Sequence, residues 1–299
     1  MKISKLCAAL AAASLCTGAM ALAQAPAPAV QPGNPALARP PAGPAPPPIV
    51  NTLRAKGSQH RSYLFAPAQK QMPYRLYVPN SWDGKAQLPL ILFLHGGGSD
   101  ENAYLDRNDK QLEKLAEQHG YIVVAPLGYT PIGSYGTPMT LRGSFGDPAG
   151  QTEDRRRANA ARLEEVDFSE KDTLAVLDRT IAEYGVDPKH VYLAGHSMGA
   201  GGGWYLAGKY PGRFAAIGLL SGPLIEENVT PVTSLKGVPI DYSEGTQAPS
   251  YGASRKLFEA AQKAGVNMRY REFDESHGGM IAPALPGVFD FFDFVRRQH

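Results

Sequence analysis

The fold is decided at residues 191–199, where the sequence reads Val-Tyr-Leu-Ala-Gly-His-Ser-Met-Gly. Its apolar start predicts a buried strand, and the small residues after Gly199 predict a helix. A Gly-x-Ser-x-Gly turn between a strand and a helix strains the serine backbone, and its glycines avoid clashes with the neighbouring elements. Such a turn presents the Ser197 hydroxyl at the carboxyl edge of a sheet, where a carbonyl carbon can reach it.

Apolar runs alternate with amphipathic segments over most of the chain. Eight strands are predicted at 62–65, 74–78, 90–94, 121–125, 191–194, 215–220, 238–243 and 268–273, and helices at 109–119, 167–184, 204–209, 251–264 and 288–297. Strands that alternate with helices are typical of an α/β fold, here a mostly parallel, twisted sheet covered by helices on both faces. The Gly-, Pro- and charge-rich stretch 128–165 predicts a long insertion that contributes to a substrate site.

The beginning of the chain has a different composition. Lys2 and Lys5, an apolar stretch and a small-x-small site ending at Ala23 are typical of a secretory signal peptide, which we expect over residues 1–23. A membrane anchor is disfavoured because the stretch is short and rich in alanine. Residues 24–48 are mostly Ala, Pro, Gly and Gln and predict a disordered linker, so the globular domain is expected at 49–299. The mature protein should then be secreted or periplasmic, with no membrane span.

Composition argues against several classes of partner and site. The 299 residues are 43% hydrophobic with a net charge of +2, and loss of Lys2 and Lys5 would leave 28 basic and 28 acidic side chains. A neutral mature protein has no electrostatic footprint for nucleic acid. Both cysteines, Cys7 and Cys16, lie in the predicted signal peptide, so no disulfide or thiolate site is expected. Composition does not determine the oligomeric state.

A serine nucleophile needs a general base, because its hydroxyl is weakly reactive at neutral pH. His277 is the candidate, since it follows the last predicted strand and comes after Ser197 in chain order. The alternative is a histidine of an ordinary surface loop. His196 is adjacent to Ser197, its side chain should point away from it, and we interpret it as structural.

Backbone amides can stabilise the negative charge that develops on a substrate oxygen. The sequence His95-Gly96-Gly97-Gly98 follows a predicted buried strand, and bare backbone there can approach a substrate closely. We expect an oxyanion hole built from the amides of Met198 and Gly97, with Gly98 as the alternative to Gly97. A glycine run of this kind can also be a flexible turn.

These motifs, His95-Gly-Gly-Gly, Gly195-His-Ser-Met-Gly and Ser276-His277-Gly, together resemble the α/β-hydrolase family in matching order over residues 60–299. The stretches at 74–79 (Tyr-Arg-Leu-Tyr-Val-Pro) and 184–192 (Tyr-Gly-Val-Asp-Pro-Lys-His-Val-Tyr) resemble secreted esterases of the feruloyl esterase and polyhydroxybutyrate depolymerase type. The resemblance implies hydrolysis of a small or polymeric ester through an acyl-enzyme, with no metal or cofactor.

One position departs from this family pattern. Relatives usually carry His-Gly-x-x-Asp after the next-to-last strand, and Ala248 falls where that Asp would orient the histidine. Loss of an orienting carboxylate can cost about ten-thousandfold in rate. Glu244, at the strand end, is the first candidate for a replacement; the others are Asp241, Glu226 and Glu227, whereas Asp274 is too close to His277 in sequence. A Ser-His dyad and an inactive protein are the alternatives to a replacement acid.

Three functions follow from this pattern. The first is a serine esterase in which Ser197 is the nucleophile and His277 the base. A serine peptidase is the second, because the same fold and triad support both reactions. The third is a catalytically silent protein of the same fold that binds a ligand. This hypothesis is based on the absence of the usual Asp.

Overall fold

A computed structural model describes residues 54–137, 153–222 and 230–298. In these ranges eight strands form one sheet, in the order β1-β2-β4-β3-β5-β6-β7-β8. The strands are β1 (Gly57–Phe65), β2 (Lys70–Val78), β3 (Leu90–Leu94), β4 (Ile122–Pro126), β5 (Val191–His196), β6 (Ile217–Leu220), β7 (Ile240–Gly245) and β8 (Met268–Phe273). β2 pairs antiparallel with β1 and β4, and the pairs from β4 to β8 are parallel. The predicted eight-stranded, mostly parallel α/β fold is confirmed.

Five helices cover the two faces of the sheet within the described residues. They are α1 (Ala103–His119), α2 (Glu153–Tyr184), α3 (Met198–Lys209), α4 (Tyr251–Ala264) and α5 (Ile281–Arg296). One apolar cluster packs α2, α3 and α4 against one face, and a second packs α1 and α5 against the other. The central strands β3, β4 and β5 are buried along their whole length, which explains why their sequences are continuously apolar rather than alternating.

The strand order places the carboxyl ends of four strands side by side. β5 lies between β3 and β6, with Leu94 opposite Gly195 and His196 opposite Leu220. β7 follows β6 in register, with Leu220 opposite Ser243. In open α/β sheets, ligands bind beyond the carboxyl ends of the strands. The turn after β5 therefore meets the ends of β3, β6 and β7 at one edge of the sheet.

Several predicted boundaries are wrong. The insertion expected at 128–165 ends in helix, since α2 begins at Glu153 rather than at 167. Residues 153–166 of α2 are rich in charged side chains, so they lack the apolar periodicity on which the prediction relied. α1 begins at Ala103 rather than at 109, and residues 107–110 depart from helical geometry inside it. That break explains why the sequence indicated only the second part of α1.

The last helix also begins earlier than predicted, at Ile281 rather than at 288. Pro286 lies inside it, and proline cannot donate the hydrogen bond that the carbonyl of Ala282 would accept in a regular helix. The side-chain amide of Gln111, in α1, donates to that carbonyl at 2.9 Å instead. A partner from another helix thus compensates for the proline, and no sequence pattern local to α5 could have predicted it.

The predicted signal peptide at 1–23 and the predicted linker at 24–48 lie outside the described ranges, as do Cys7 and Cys16. In the ranges that the structure describes, no helix combines the length and apolar character needed to span a bilayer.

Candidate active site

Ser197 occupies a strained turn between β5 and α3. Its backbone has φ 57° and ψ −118°, a conformation that L residues rarely adopt. The flanking glycines are required by close packing: a Cβ at Gly199 would lie 2.1 Å from the carbonyl oxygen of Leu94, and one at Gly195 would lie 2.5 Å from that of Gly199. The predicted strand, sharp turn and helix are all present, and the turn carries the serine at the carboxyl end of β5.

His277 lies against Ser197. It belongs to the loop between β8 and α5, and its Nε2 is 2.9 Å from the Ser197 hydroxyl oxygen. The structure therefore brings together the two residues that the sequence indicated as nucleophile and base. An imidazole nitrogen at this distance can accept the serine proton during an attack on a carbonyl carbon.

The other nitrogen of His277 contacts a hydroxyl rather than a carboxylate. Nδ1 is 2.6 Å from the hydroxyl oxygen of Ser221, and that hydroxyl donates to Oε1 of Glu244 at 2.5 Å. Ser221 directly follows β6 and Glu244 lies near the end of β7. A line of hydrogen bonds thus runs from Ser197 to a carboxylate across the ends of three parallel strands.

Glu244 is fully buried. Its Oε1 also accepts the amide of Gly245 at 3.1 Å and the hydroxyl of Ser250 at 3.3 Å. Several donors converging on one oxygen form the environment of a carboxylate that acts only as an acceptor. The phenol of Tyr242 lies nearby, and its pKa is raised well above the usual value by burial and by the charge of Glu244.

The other acids considered from the sequence are placed differently. Asp241 is fully buried, but its carboxylate accepts hydrogen bonds from Arg269 and Arg271. Because side chains alternate along β7, Asp241 projects from the face opposite to Glu244. Asp274 accepts from side chains of the β7–α4 turn. Glu226 and Glu227 lie outside the described residues, and Ala248 is buried in that same turn.

His196 has the structural role that the sequence interpretation assigned to it. Its Nε2 lies 2.9 Å from the backbone carbonyl of His277, and its Nδ1 lies 2.6 Å from the hydroxyl of Tyr104. Burial lowers the pKa of His196 to about 4, so the ring is neutral at neutral pH. Since the carbonyl can only accept, Nε2 carries the proton and Nδ1 accepts from the Tyr104 hydroxyl.

The candidate oxyanion donors lie at the start of α3 and in the glycine-rich turn after β3. A Cβ at Gly97 would lie 3.8 Å from that of Met198, so the two residues are neighbours. The amide of Gly98 donates to the carbonyl of Pro131 at 2.8 Å, whereas in the described ranges no backbone acceptor faces the amides of Gly97 and Met198. Because the amide of Gly98 already has an acceptor, Gly98 is disfavoured as an oxyanion donor, and Gly97 and Met198 remain the candidate pair.

Sequence reasoning missed two residues, Ser221 and Tyr104. Ser221 immediately follows a predicted strand, and a polar residue at the carboxyl end of a parallel strand is the one signal that could have indicated it. Tyr104 had no signal, because its partner His196 lies 92 residues away in the chain. Among the described residues, no three His, Cys, Asp or Glu side chains are grouped to hold a metal ion.

Comparison with known proteins gives a consistent picture. The model of a family described as "Putative esterase" matches residues 66–274. A bifunctional acetylxylan esterase/xylanase of Neocallimastix patriciarum is 27% identical over 202 residues, which cover 66% of this chain and 23% of the relative. The chain thus spans about a quarter of the length of that curated relative.

Solved structures share the fold at low sequence identity. An S-formylglutathione hydrolase from Staphylococcus aureus has a TM-score of 0.59 at 16% identity, covering 81% of this chain and 99% of its own. A ferulic acid esterase from Anaeromyces mucronatus has a TM-score of 0.57 at 16% identity, covering 81% of this chain and 92% of its own. At these identities the likeness concerns the architecture.

Proposed function

The chain belongs to the esterase family whose model matches residues 66–274, and from that premise we propose that it is a serine esterase that hydrolyses carboxylic esters through an acyl-enzyme on Ser197. The observation that carries the proposal is the 2.9 Å contact between the Ser197 hydroxyl and Nε2 of His277, on a strained turn at the end of β5. A serine placed in this way has the base that its weak nucleophilicity requires.

The reaction follows from the positions of these groups. Nε2 of His277 takes the Ser197 proton as Oγ bonds to the ester carbonyl carbon, and the carbonyl oxygen becomes an oxyanion facing the amides of Gly97 and Met198. The protonated imidazole then gives its proton to the departing alcohol, leaving an acyl group on Ser197. A water molecule, deprotonated by His277, attacks this acyl group and releases the acid and the free serine.

Glu244 supplies the negative charge that supports the imidazolium in this scheme. It is the buried carboxylate nearest to His277 along the line of hydrogen bonds, and Asp241 is held by two arginines on the other face of β7. A Ser-His dyad with no acid would leave no role for this carboxylate beside the base.

The substrate is proposed from the relatives. One relative is named for acetylxylan and one structural neighbour for ferulic acid. We therefore propose an acetyl or feruloyl ester of a plant-wall polymer, or a short polyester, as the substrate class. Acetylated xylan, methyl ferulate and short polyhydroxybutyrate oligomers would be compared by kcat/KM, alongside a peptide substrate for the peptidase alternative.

The test is hydrolysis of p-nitrophenyl acetate and butyrate by the wild type and by Ser197→Ala and His277→Ala. We expect both variants to lose about a thousandfold or more in kcat, since each removes a member of one catalytic unit. Ser243→Ala is the matched control, because Ser243 is a buried serine on β7 whose side-chain hydroxyl makes no hydrogen bond in the described structure. Full activity in Ser197→Ala would overturn the proposal. Failure of the wild type to react with a fluorophosphonate probe would favour the silent binding protein instead.

Export to the periplasm or the medium is part of the proposal. It rests on the basic and apolar pattern of residues 1–23. Terminal sequencing of protein recovered from the host should find Gln24 as the first residue. Recovery of the chain with residues 1–23 attached, from the cytoplasm alone, would contradict it.

A further inference from the structure

We infer that Ser221 is a positioning residue that links the base to its acid, so that Glu244 acts on His277 through one intervening hydroxyl. The inference rests on the proposed function, because it assigns a role within the same site. It differs from a direct Asp-His contact, since Nδ1 of His277 faces the Ser221 oxygen at 2.6 Å and Glu244 stands behind that hydroxyl.

The direction of each hydrogen bond follows from the carboxylate. Oε1 of Glu244 can only accept, so the Ser221 hydroxyl uses its single proton to donate a hydrogen bond to Oε1. The Ser221 oxygen can then only accept from Nδ1 of His277, which must carry a proton. Nε2 is left unprotonated and able to accept from the Ser197 hydroxyl. One buried charge thereby selects, through one hydroxyl, the tautomer that a general base needs.

The backbone of Ser221 is held where this role requires it. The residue is fully buried and has φ 44°, in the left-handed region that costs free energy for a non-glycine residue. Its amide donates to the carbonyl of Ser243 at 2.7 Å, and the preceding carbonyl, of Leu220, accepts the amide of Ser197 at 3.0 Å. Hydrogen bonds to the chain on both sides therefore hold the backbone at Leu220 and Ser221 in place. Backbone strain such as the positive φ of Ser221 is concentrated at functional sites.

The link also explains how the chain functions with Ala248 at the usual acid position. Glu244 lies in β7 itself, whereas Ala248 lies beyond the strand end. The next strand toward the nucleophile is β6, and the residue after it occupies the space between Glu244 and His277. A hydroxyl at that position can bond to Glu244 and to His277 at once, so the carboxylate orients the imidazole through it. A second carboxylate there would face Glu244 at close range and be repelled.

Among the residues that the structure describes, few other titratable groups surround the ring of His277. His196, from β5, lies with its ring centroid 4.6 Å away and is neutral because burial lowers its pKa to about 4. Asp274 and Glu275, in the same loop as His277, are exposed, and Asp274 is held by side chains of the β7–α4 turn. A change in the pH profile after substitution of Ser221 therefore reports the link to Glu244.

The first test is Ser221→Gly. Glycine adopts positive φ without cost, so this variant removes the hydroxyl and preserves the backbone. We expect kcat for p-nitrophenyl acetate to fall about 10- to 100-fold, the value of a hydrogen bond to a charged group, with little change in KM. The acidic limb of the kcat/KM profile should move to lower pH, because the imidazolium loses its support. Ser243→Ala, which removes a buried hydroxyl from the adjacent strand, should change neither.

The second test is rescue by Ser221→Asp combined with Glu244→Gln. This pair moves the carboxylate to the position beside Nδ1 and removes the charge behind it, and Asp tolerates positive φ better than most residues. We expect kcat at least about tenfold above that of Ser221→Gly, with the acidic limb restored toward the wild-type pH. Wild-type kcat and an unshifted limb in Ser221→Gly would overturn the inference, as would failure of the folded double variant to recover. Activity in Ser197→Ala would instead overturn the proposed function.

Discussion

His196 holds the loop that carries His277: its Nε2 donates a hydrogen bond to the backbone carbonyl of His277 at 2.9 Å. The residue before Ser197 thus positions the backbone of His277, although 80 residues separate Ser197 and His277 in the chain. Burial keeps the ring of His196 neutral, and the hydroxyl of Tyr104 donates to its second nitrogen.

Tyr104→Phe should destabilise the protein by about 1–3 kcal/mol, because it leaves Nδ1 of His196 buried without a donor. The free energy of unfolding would be measured in urea. Tyr192→Phe is the matched control, since that tyrosine is also buried but its hydroxyl has no hydrogen-bond partner in the described structure. We expect Tyr192→Phe to be neutral or slightly stabilising. An equal decrease in the free energy of unfolding in the two variants would show that the hydrogen bond to His196 does not contribute to stability.

Stability should fall as the pH drops from about 6.5 to about 4, the interval between the ordinary pKa of histidine and the pKa of buried His196. In this interval the unfolded chain binds a proton that the folded protein does not, so acid favours unfolding. The full contribution is about 3 kcal/mol. Unfolding free energies of the wild type and of His196→Gln would be compared across these pH values. An identical pH dependence in both would contradict the assignment.

Asp241→Asn should destabilise the protein by about 1.5–3 kcal/mol, since it removes the charge of a buried carboxylate that accepts hydrogen bonds from the partly exposed Arg269 and Arg271. The folded variant should keep its kcat, because Asp241 projects from the face of β7 opposite to Glu244. Asp167→Asn, which breaks an exposed pair with Lys171, should cost about 0.5 kcal/mol or less. A large loss of kcat in folded Asp241→Asn would make that residue, and not Glu244, the acid.

Glu244→Gln should lower kcat about tenfold or more while KM changes little, because it removes the charge behind Ser221. Gln has nearly the same shape, so the fold should survive, and circular dichroism would verify this. The variant is compared with Asp241→Asn under the same conditions. If Glu244→Gln kept the wild-type kcat, the site would act as a Ser-His dyad without a carboxylate.

Gly199→Ala should cost about 3 kcal/mol or prevent folding, because its Cβ would lie 2.1 Å from the backbone oxygen of Leu94. Backbone on β3 cannot move aside as a flexible side chain could. Gly252→Ala, in α4, has open space around the new Cβ and should stabilise by about 0.5–1 kcal/mol. Thermal unfolding of the two variants would measure the difference, and a tolerated Gly199→Ala would contradict the close packing of the turn.

Much of the core of the fold was predictable because its signals are local. The continuous apolar runs of β3 and β5 predicted buried parallel strands, and α4 and β8 begin and end where the sequence indicated. The charged start of α2 and the start of α5 were not predicted. The start of α2 has no apolar period in its sequence, and Pro286 is compensated by Gln111 from another helix.

The sequence by itself determined the turn at Ser197 and the order of strands and helices along the chain, because each depends on neighbours in the chain, and it indicated His277 by its place after the last strand. Only the tertiary structure decided how Glu244 reaches His277. Ser221, Glu244 and His277 follow or end three different strands, and their contacts depend on the register of β6 on β7 and on the loop that His196 holds. Register is set by packing between distant segments, and no local pattern encodes it.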